Sequence, residues 1–255
     1  MNLTINDFDI VVFDLDGTIY NGDTLITSAE KVVDFCRQNK KKIIFGTNNS
    51  GKNRQQIADK LNRIGISCSQ EEIITSAFLA GIYLKENNIN DIYVFGSDNL
   101  KKEVISNGVN IVDEKEAKNL LIGFKKDYDY EDLSKAFRVA KKADHFIVCN
   151  KDRTYPSNDG TLYPALGYIT SSIEWCANRK ADVIIGKPDP YMLSYIAKKY
   201  NVCKDRILCV GDTYESDYLT AKAFGSKCVL ISDKVYKENN LFSINKIADL
   251  LNLLK

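Results

Sequence analysis

Two aspartates close an apolar run near the start of the chain: Ile10-Val11-Val12-Phe13-Asp14-Leu15-Asp16-Gly17-Thr18. Charges at the exit of a buried strand are costly unless something binds them. A divalent cation and a phosphate would do so. Three later segments supply what such a site still lacks: Thr47-Asn48-Asn49-Ser50, Lys187, and Gly211-Asp212 with Asp217. The chemistry open to this set is that of phosphate esters. An aspartate can attack phosphorus to give an acyl phosphate, splitting hydrolysis into two easier steps. A second carboxyl two residues on can protonate the leaving oxygen and later take a proton from water. A hard cation such as Mg2+ takes oxygen ligands from one or two carboxylates and the phosphate. Lys187 and the cation would offset the carboxylates and stabilise the charge in transfer. Thr47 and nearby backbone N–H groups would hold the phosphoryl oxygens, helped by the N-terminus of the following helix.

Each piece alone has an ordinary reading. Asp-x-Asp-Gly is a common turn or a fragment of a calcium loop, Thr-Asn-Asn-Ser a polar turn and helix cap, and Gly-Lys-Pro and Gly-Asp are surface turns. Their joint occurrence, in this order, at three strand ends and one loop, favours catalysis. Asp14, Thr47 and Asp212 each follow an apolar run directly. In open α/β sheets, ligands bind outside the carboxyl ends of the strands. If the three strands are parallel neighbours, the side chains converge on one rim.

The elements that must position them are legible as short β-branched runs alternating with amphipathic stretches. The runs are 10–13, 42–45, 92–95, 120–122, 146–148, 183–185, 207–210 and 228–231. Continuous apolar runs of this length suit strands buried on both faces. Helical spacing recurs after Ser28, over Arg54–Ile64 up to Gly65, and over Asp132–Ala140. Strands alternating with helices predict an α/β fold with a mostly parallel sheet. About 130 residues without a comparable acidic strand end separate the second chemical segment from the third, enough for an inserted domain. The expected division is a core of residues 1–77 and 180–255 around an insert of residues 78–179.

Composition narrows the function classes. The chain has 255 residues, 44% of them hydrophobic, and Lys+Arg 35 against Asp+Glu 34, a net charge of +1. Such a balance does not suggest a nucleic-acid surface; Lys40-Lys41-Lys42 and Lys141-Lys142 are expected as solvated helix ends. The seven cysteines contain no Cys-x-x-Cys pair, and free thiols in a reducing compartment are expected. The first residues do not form a basic-then-apolar leader, and no apolar run approaches the ~18 residues of a membrane span. A cytoplasmic location with no membrane partner is the expectation. His145, the only histidine, begins a strand run and is not expected to be catalytic. Trp175, beside Ile173 and Cys176, is expected in the core or at a domain interface, and Tyr191, Tyr195 and Tyr200 in packing.

The four segments together resemble the motifs of the haloacid dehalogenase superfamily of aspartate-nucleophile phosphohydrolases. Asp14-Leu15-Asp16-Gly17-Thr18 matches the first motif, Thr47-Asn48-Asn49 the second, Lys187 the third, and Gly211-Asp212 through Asp217 the fourth. Ile19-Tyr20-Asn21-Gly22 and Gly186-Lys187-Pro188-Asp189-Pro190 are similar to the NagD, or 4-nitrophenylphosphatase-like, branch. The resemblance implies a Rossmann-like doubly wound core with a large α/β cap inserted between the second and third motifs. It implies Asp14 as nucleophile and Asp16 as general acid and base. It implies Mg2+ held by the Asp14 carboxylate, the Asp16 backbone carbonyl and Asp212, with Asp217 behind them orienting a metal-bound water or Lys187. Phosphate would be held by Gly17, Thr47, Asn48 and Lys187. Asn150-Lys151-Asp152 matches a cap loop that faces the active site in this branch, so Asn150 and Asp152 are expected to select substrate. A homodimer through the cap is a further implication.

The chain departs from the family at Pro164-Ala165-Leu166-Gly167, where Pro-Gly-x-Gly is common; this puts the local backbone in question. The polar loop beside it carries Arg153, Tyr155 and Asp159, and Arg153 could meet an anionic group. The expected function is Mg2+-dependent hydrolysis of a small phosphorylated metabolite. The alternatives are phosphoryl transfer to an acceptor other than water and a phosphate-binding regulatory module without turnover. Asp16 argues against dehalogenation, because halide displacement needs no acid. The intact nucleophile, acid and metal ligands argue against the silent module.

Overall fold

The structure is a computed structural model describing residues 3–157 and 160–255; Asp159 lies outside the described residues. The chain opens with β1 (Ile10–Phe13), the small hairpin of β2 (Tyr20–Asn21) and β3 (Thr24–Leu25), and α1 (Ala29–Gln38). It continues through β4 (Lys42–Thr47), α2 (Arg54–Arg63), β5 (Ile73–Thr75) and α3 (Ser76–Glu86). Next come β6 (Asp91–Phe95), α4 (Asp98–Ser106), β7 (Asn110–Ile111), β8 (Asn119–Ile122), α5 (Tyr130–Lys142) and β9 (His145–Val148). A second hairpin, β10 (Thr154–Pro156) and β11 (Leu162–Pro164), leads to α6 (Leu166–Ala177) and β12 (Val183–Ile184). The chain closes with α7 (Tyr191–Tyr200), β13 (Ile207–Gly211), α8 (Leu219–Phe224), β14 (Lys227–Ile231), β15 (Leu241–Ile244) and α9 (Leu250–Leu253).

Among the described residues, one sheet runs β15-β14-β13-β1-β4-β5 and a second β12-β9-β8-β6-β7. Every pairing in both is parallel. All four residues of β1 are buried. Val11 and Phe13 join one apolar cluster with Val32, Val33 and Ile57 of α1 and α2. Ile10 and Val12 join the other with Met192, Leu193 and Ala221 of α7 and α8. A two-residue period with both faces covered is what makes a parallel strand read as an unbroken apolar run. Each such side chain contributes about 1.5–3 kcal/mol by leaving water. The fold is α/β, a Rossmann-like doubly wound core carrying an inserted α/β cap, as the sequence predicts.

Local signals explain the helices. Ala29, Val32, Val33 and Cys36 bury one stripe of α1. Asn53 and Gln56 cap α2 reciprocally, and Gly65 ends the turn after it at φ +103°. Asp129 caps α5, whose last turn carries Lys141 and Lys142. Ser28, by contrast, does not cap α1 with its side chain; it sits in a left-handed conformation at φ 71°. The expected switch at residue 78 falls inside α3, which begins directly after core strand β5. The expected return at residue 180 precedes β12, which still pairs with β9 of the second sheet. Trp175 is 87% exposed and Cys176 is exposed, so only Ile173 of that trio is in the core. All seven cysteines are free, four of them buried. Tyr191 and Tyr195 pack edge-on against Tyr83 and Phe78. No described helix is long and apolar enough to cross a membrane.

Candidate active site

The strand order places β1 between β13 and β4, where the chain changes winding direction. Such a switch point opens a crevice at the carboxyl ends of the strands. Asp14 leaves β1 with its N–H bonded to Val210 of β13 at 2.8 Å. Asp212 leaves β13, and Thr47 ends β4, so the three expected side chains stand on adjacent strand ends. Lys187 arrives from the loop after β12. Its ammonium contacts Asp14 and lies 2.6 Å from Asp217 Oδ1. The other Asp217 oxygen accepts the N–H groups of Asp212 and Thr213 at 3.2 and 3.1 Å. A single π-type turn over Tyr214–Tyr218 swings Asp217 back to that position.

Two glycines make room. Gly17 has φ +85°, and a Cβ there would sit 2.2 Å from Asp212 Oδ2. A Cβ on Gly211 would meet Asp217 Cγ at 2.2 Å. Asp16 is exposed to the cleft, with the Tyr20 hydroxyl 3.5 Å from its Oδ2. Lys60 stacks its ammonium 3.5 Å above the Tyr20 ring. The Thr18 hydroxyl lies 3.4 Å from Asp212 Oδ1. Thr18, Tyr20 and Lys60 also shape the site; the first two lie inside or beside the first motif, but nothing in the local sequence points to Lys60.

The charges are unbalanced. Burial pushes the Asp14 carboxyl well above the usual carboxylate range; Lys187 pulls it down, and Asp217 and Asp212 push it up again. Burial and then Asp217 raise Asp212 to about 6. Burial disfavours the Lys187 ammonium, but Asp14 and Asp217 outweigh it and hold the lysine pKa above its ordinary value. Asp14, Asp212 and Asp217 each bring a carboxylate oxygen within 4.8 Å of the others. One lysine among three carboxylates leaves an excess of negative charge and an all-oxygen donor set, which fits a hard divalent cation. Both Asp217 oxygens already accept hydrogen bonds, so Asp14 and Asp212 are the open donors.

The contacts show how Asn48 and Asn150 are held. The Asn48 side chain bonds within the protein, which leaves its backbone as the part that can face a phosphate. Its Oδ1 accepts Lys187 N–H at 2.8 Å, and its Nδ2 donates to the Lys187 carbonyl and to Asp152 Oδ1, both at 3.0 Å. Asn150, expected to select substrate, is buried and donates to the Asn48 carbonyl at 2.7 Å. Asn48, Asn150 and Asp152 all line the cleft. The Ala165 departure causes no strain: its φ of −93° suits any residue. Gly167 is the glycine that matters there, since a Cβ would lie 2.6 Å from the Asp152 carbonyl.

Core and insert residues enclose one cleft of about 1740 Å3. Asp14, Asp16, Gly17, Thr47, Lys187 and Asp212 line it from the core, and Phe124, Arg153, Tyr155 and Tyr163 from the insert. Tyr155 stacks on Tyr163 and meets Phe124 edge-on.

Known proteins resemble this chain along most of its length. Residues 11–110 match the haloacid dehalogenase-like hydrolase family, and residues 184–252 match a second, HAD-hydrolase-like family. The sugar-phosphatase AraL of Bacillus subtilis is 31% identical over 243 residues, 94% of this chain and 89% of that one. Phosphoglycolate phosphatase 1A of Arabidopsis thaliana is 27% identical, over 97% of this chain and 77% of its own. The crystal structure of a 4-nitrophenylphosphatase from Thermotoga maritima superposes with a TM-score of 0.89 at 26% identity, covering 98% of this chain and 99% of that one. Relatives that share sequence along nearly the whole length, and a neighbour that shares the fold, agree with the paired aspartates at the switch point: the chain belongs to the haloacid dehalogenase superfamily, as a phosphatase of its NagD-like branch.

Proposed function

We propose that the chain hydrolyses a small phosphorylated metabolite by way of an aspartyl-phosphate on Asp14. The observation that carries this reading is the Asp14 carboxylate itself. It stands at the end of β1 in the cleft, in contact with the Lys187 ammonium, with Asp16 two residues on. In the first step an Asp14 oxygen attacks phosphorus, and the Asp16 carboxylic acid gives its proton to the departing oxygen. In the second, the Asp16 carboxylate takes a proton from water as that water attacks the aspartyl-phosphate, returning both groups to their starting states. Lys187 holds Asp14 in place and offsets charge on the transferring group. Thr47 and the backbone of the loop after β4 receive the phosphoryl oxygens, and Gly17 lets the first-motif turn lie close to Asp212.

Asp14, Asp212 and the Asp16 carbonyl would hold Mg2+, with Asp217 supporting from behind; bound there, it would supply charge neutralisation for the carboxylates and the phosphate. The insert, taken as 78–179 with its sheet extended to Ile184, serves as a cap over the leaving group. Arg153, Phe124 and Tyr155 are the side chains there that meet it. The sugar phosphatase and phosphoglycolate phosphatase relatives support a small metabolite as substrate. The test is phosphate release from 4-nitrophenyl phosphate and a panel of sugar and carboxylic-acid phosphates, combined with rapid acid quenching. A phosphoryl group on the peptide containing Asp14 is the expected result. Turnover without it would refute the covalent route.

A further inference from the structure

Lys187 is held at both ends. Its ammonium bridges Asp14 and Asp217, and its peptide group is gripped by Asn48, which pairs with both the N–H and the carbonyl. A primary amide has one acceptor oxygen and two N–H donors. The remaining donor capacity of Asn48 goes to Asp152 Oδ1 at 3.0 Å. Asp152 is braced in turn: its N–H donates to Asn150 Oδ1 at 3.1 Å, and Asn150 reaches back to the Asn48 carbonyl. The residue before the lysine has no slack either. Gly186 N–H donates to the Cys149 carbonyl at 2.8 Å, and a Cβ on Gly186 would lie 2.4 Å from Asn48 Oδ1.

Two features make this cluster directional. Asn48 follows core strand β4, whereas Asp152 and Asn150 follow insert strand β9, so the contact crosses between the two sheets. The Asn48 amide could also turn over about its last bond. The Asp152 carboxylate accepts only, so it keeps the NH2 side toward itself and leaves the oxygen facing Lys187 N–H. Without it, only the Lys187 peptide orients the amide.

We infer that Asn48 and Asp152 are positioning residues that link docking of the insert to the placement of Lys187, so that Asp152 acts on the chemical step and not by recognising the leaving group. The inference rests on the phosphatase reading above and changes the part Asp152 plays in it. An unpaired Asn48 would let the Lys187 loop relax, and the ammonium would be shared less evenly between Asp14 and Asp217.

The test compares wild type with Asp152→Ala, Asp152→Asn, Asn48→Ala and the Asn48→Ala/Asp152→Ala double variant. Two substrates with unlike leaving groups are used: 4-nitrophenyl phosphate and the alkyl phosphate turned over fastest in a screen. Loss of one buried hydrogen bond predicts a fall in kcat of about tenfold for Asp152→Ala. The fall is expected to be the same on both substrates, with KM little changed. Asp152→Asn keeps an oxygen acceptor for the Asn48 amide and should retain most of the wild-type kcat. The double variant should be no slower than Asn48→Ala, because residues acting through one contact are not additive. A loss that differs between substrates, falls in KM, is as large for Asp152→Asn as for Asp152→Ala, or adds in the double variant would overturn the inference. If Asn48→Ala does not fold, as judged by circular dichroism, the two Asp152 variants decide the matter alone. A wild-type protein that releases no phosphate from any substrate would instead overturn the reading of the site, and the coupling with it.

Discussion

Lys187 Nζ lies 2.6 Å from Asp217 Oδ1 and touches Asp14 as well, so one ammonium serves two carboxylates while Asp212 faces the same space with no ion pair among the described residues. Asp14, Lys187 and Asp217 therefore form one electrostatic unit. Removing any member shifts the charge on the others.

Asp14→Asn keeps the shape of the side chain but removes the nucleophilic oxygen. On the proposed aspartyl-phosphate route, turnover should drop below about 1% of wild type. Far-ultraviolet circular dichroism should be unchanged. Retention of a substantial fraction of activity would move the nucleophile elsewhere.

Chelation with EDTA should stop turnover and Mg2+ restore it, with Ca2+ a poor substitute because its larger, looser coordination misplaces nucleophile and phosphorus. Binding should also be visible without catalysis. Mg2+ should raise the melting temperature in a concentration-dependent way, since a ligand held only by the folded state stabilises it. Asp212→Asn should shrink that shift. An equal shift in both proteins would place the cation at another site.

Gly17 and Gly65 separate strain from displacement. Both have positive φ, +85° and +103°, but a Cβ at Gly65 meets nothing within 4 Å while one at Gly17 runs into Asp212. Gly65→Ala should cost about 1–2 kcal/mol of stability in urea denaturation through backbone strain alone and leave kcat near wild type. Gly17→Ala should show the same strain and a much larger loss of kcat, because Asp212 must move. Similar kcat values for the two variants would mean that the Gly17–Asp212 approach does not matter for turnover.

Arg153 is exposed, lines the cleft and stands on the insert. Arg153→Ala should lower kcat/KM for a phosphate ester with an anionic leaving group, such as phosphoglycolate, by about tenfold, the scale of one charge-assisted hydrogen bond. Its effect on 4-nitrophenyl phosphate should be within about twofold, since the bound nitrophenyl group carries no carboxylate for Arg153 to pair with. A uniform loss across a substrate panel would assign Arg153 to the shared phosphoryl group.

Much of this protein is written locally. The alternation of buried β-branched runs with amphipathic stretches marks β1, β4, β13 and β14 as strands, because a strand covered on both faces must be apolar throughout. Asp14, Thr47 and Asp212 are legible for the same reason: a polar residue that ends such a run stands at a sheet's carboxyl edge. Ile73–Thr75 and Leu241–Ile244 escape notice as strands, the first too short to declare a period and the second interrupted by Ser243. Only the tertiary structure decides what Asn48, Asn150 and Asp152 do. Asn48 bonds partners 104 and 139 residues away, and an amide carries no local mark of whether it will face a ligand or the chain. The same holds for the exposure of Trp175, which depends on which face of α6 the insert leaves open, and for the extent of the insert, which α3 and β12 blur by belonging to continuous packing. Sequence determines the period of burial and the chemistry at the strand ends; the choice of partners across long stretches of chain is made by the winding of the two sheets, which brings their carboxyl ends face to face around residues 48–51.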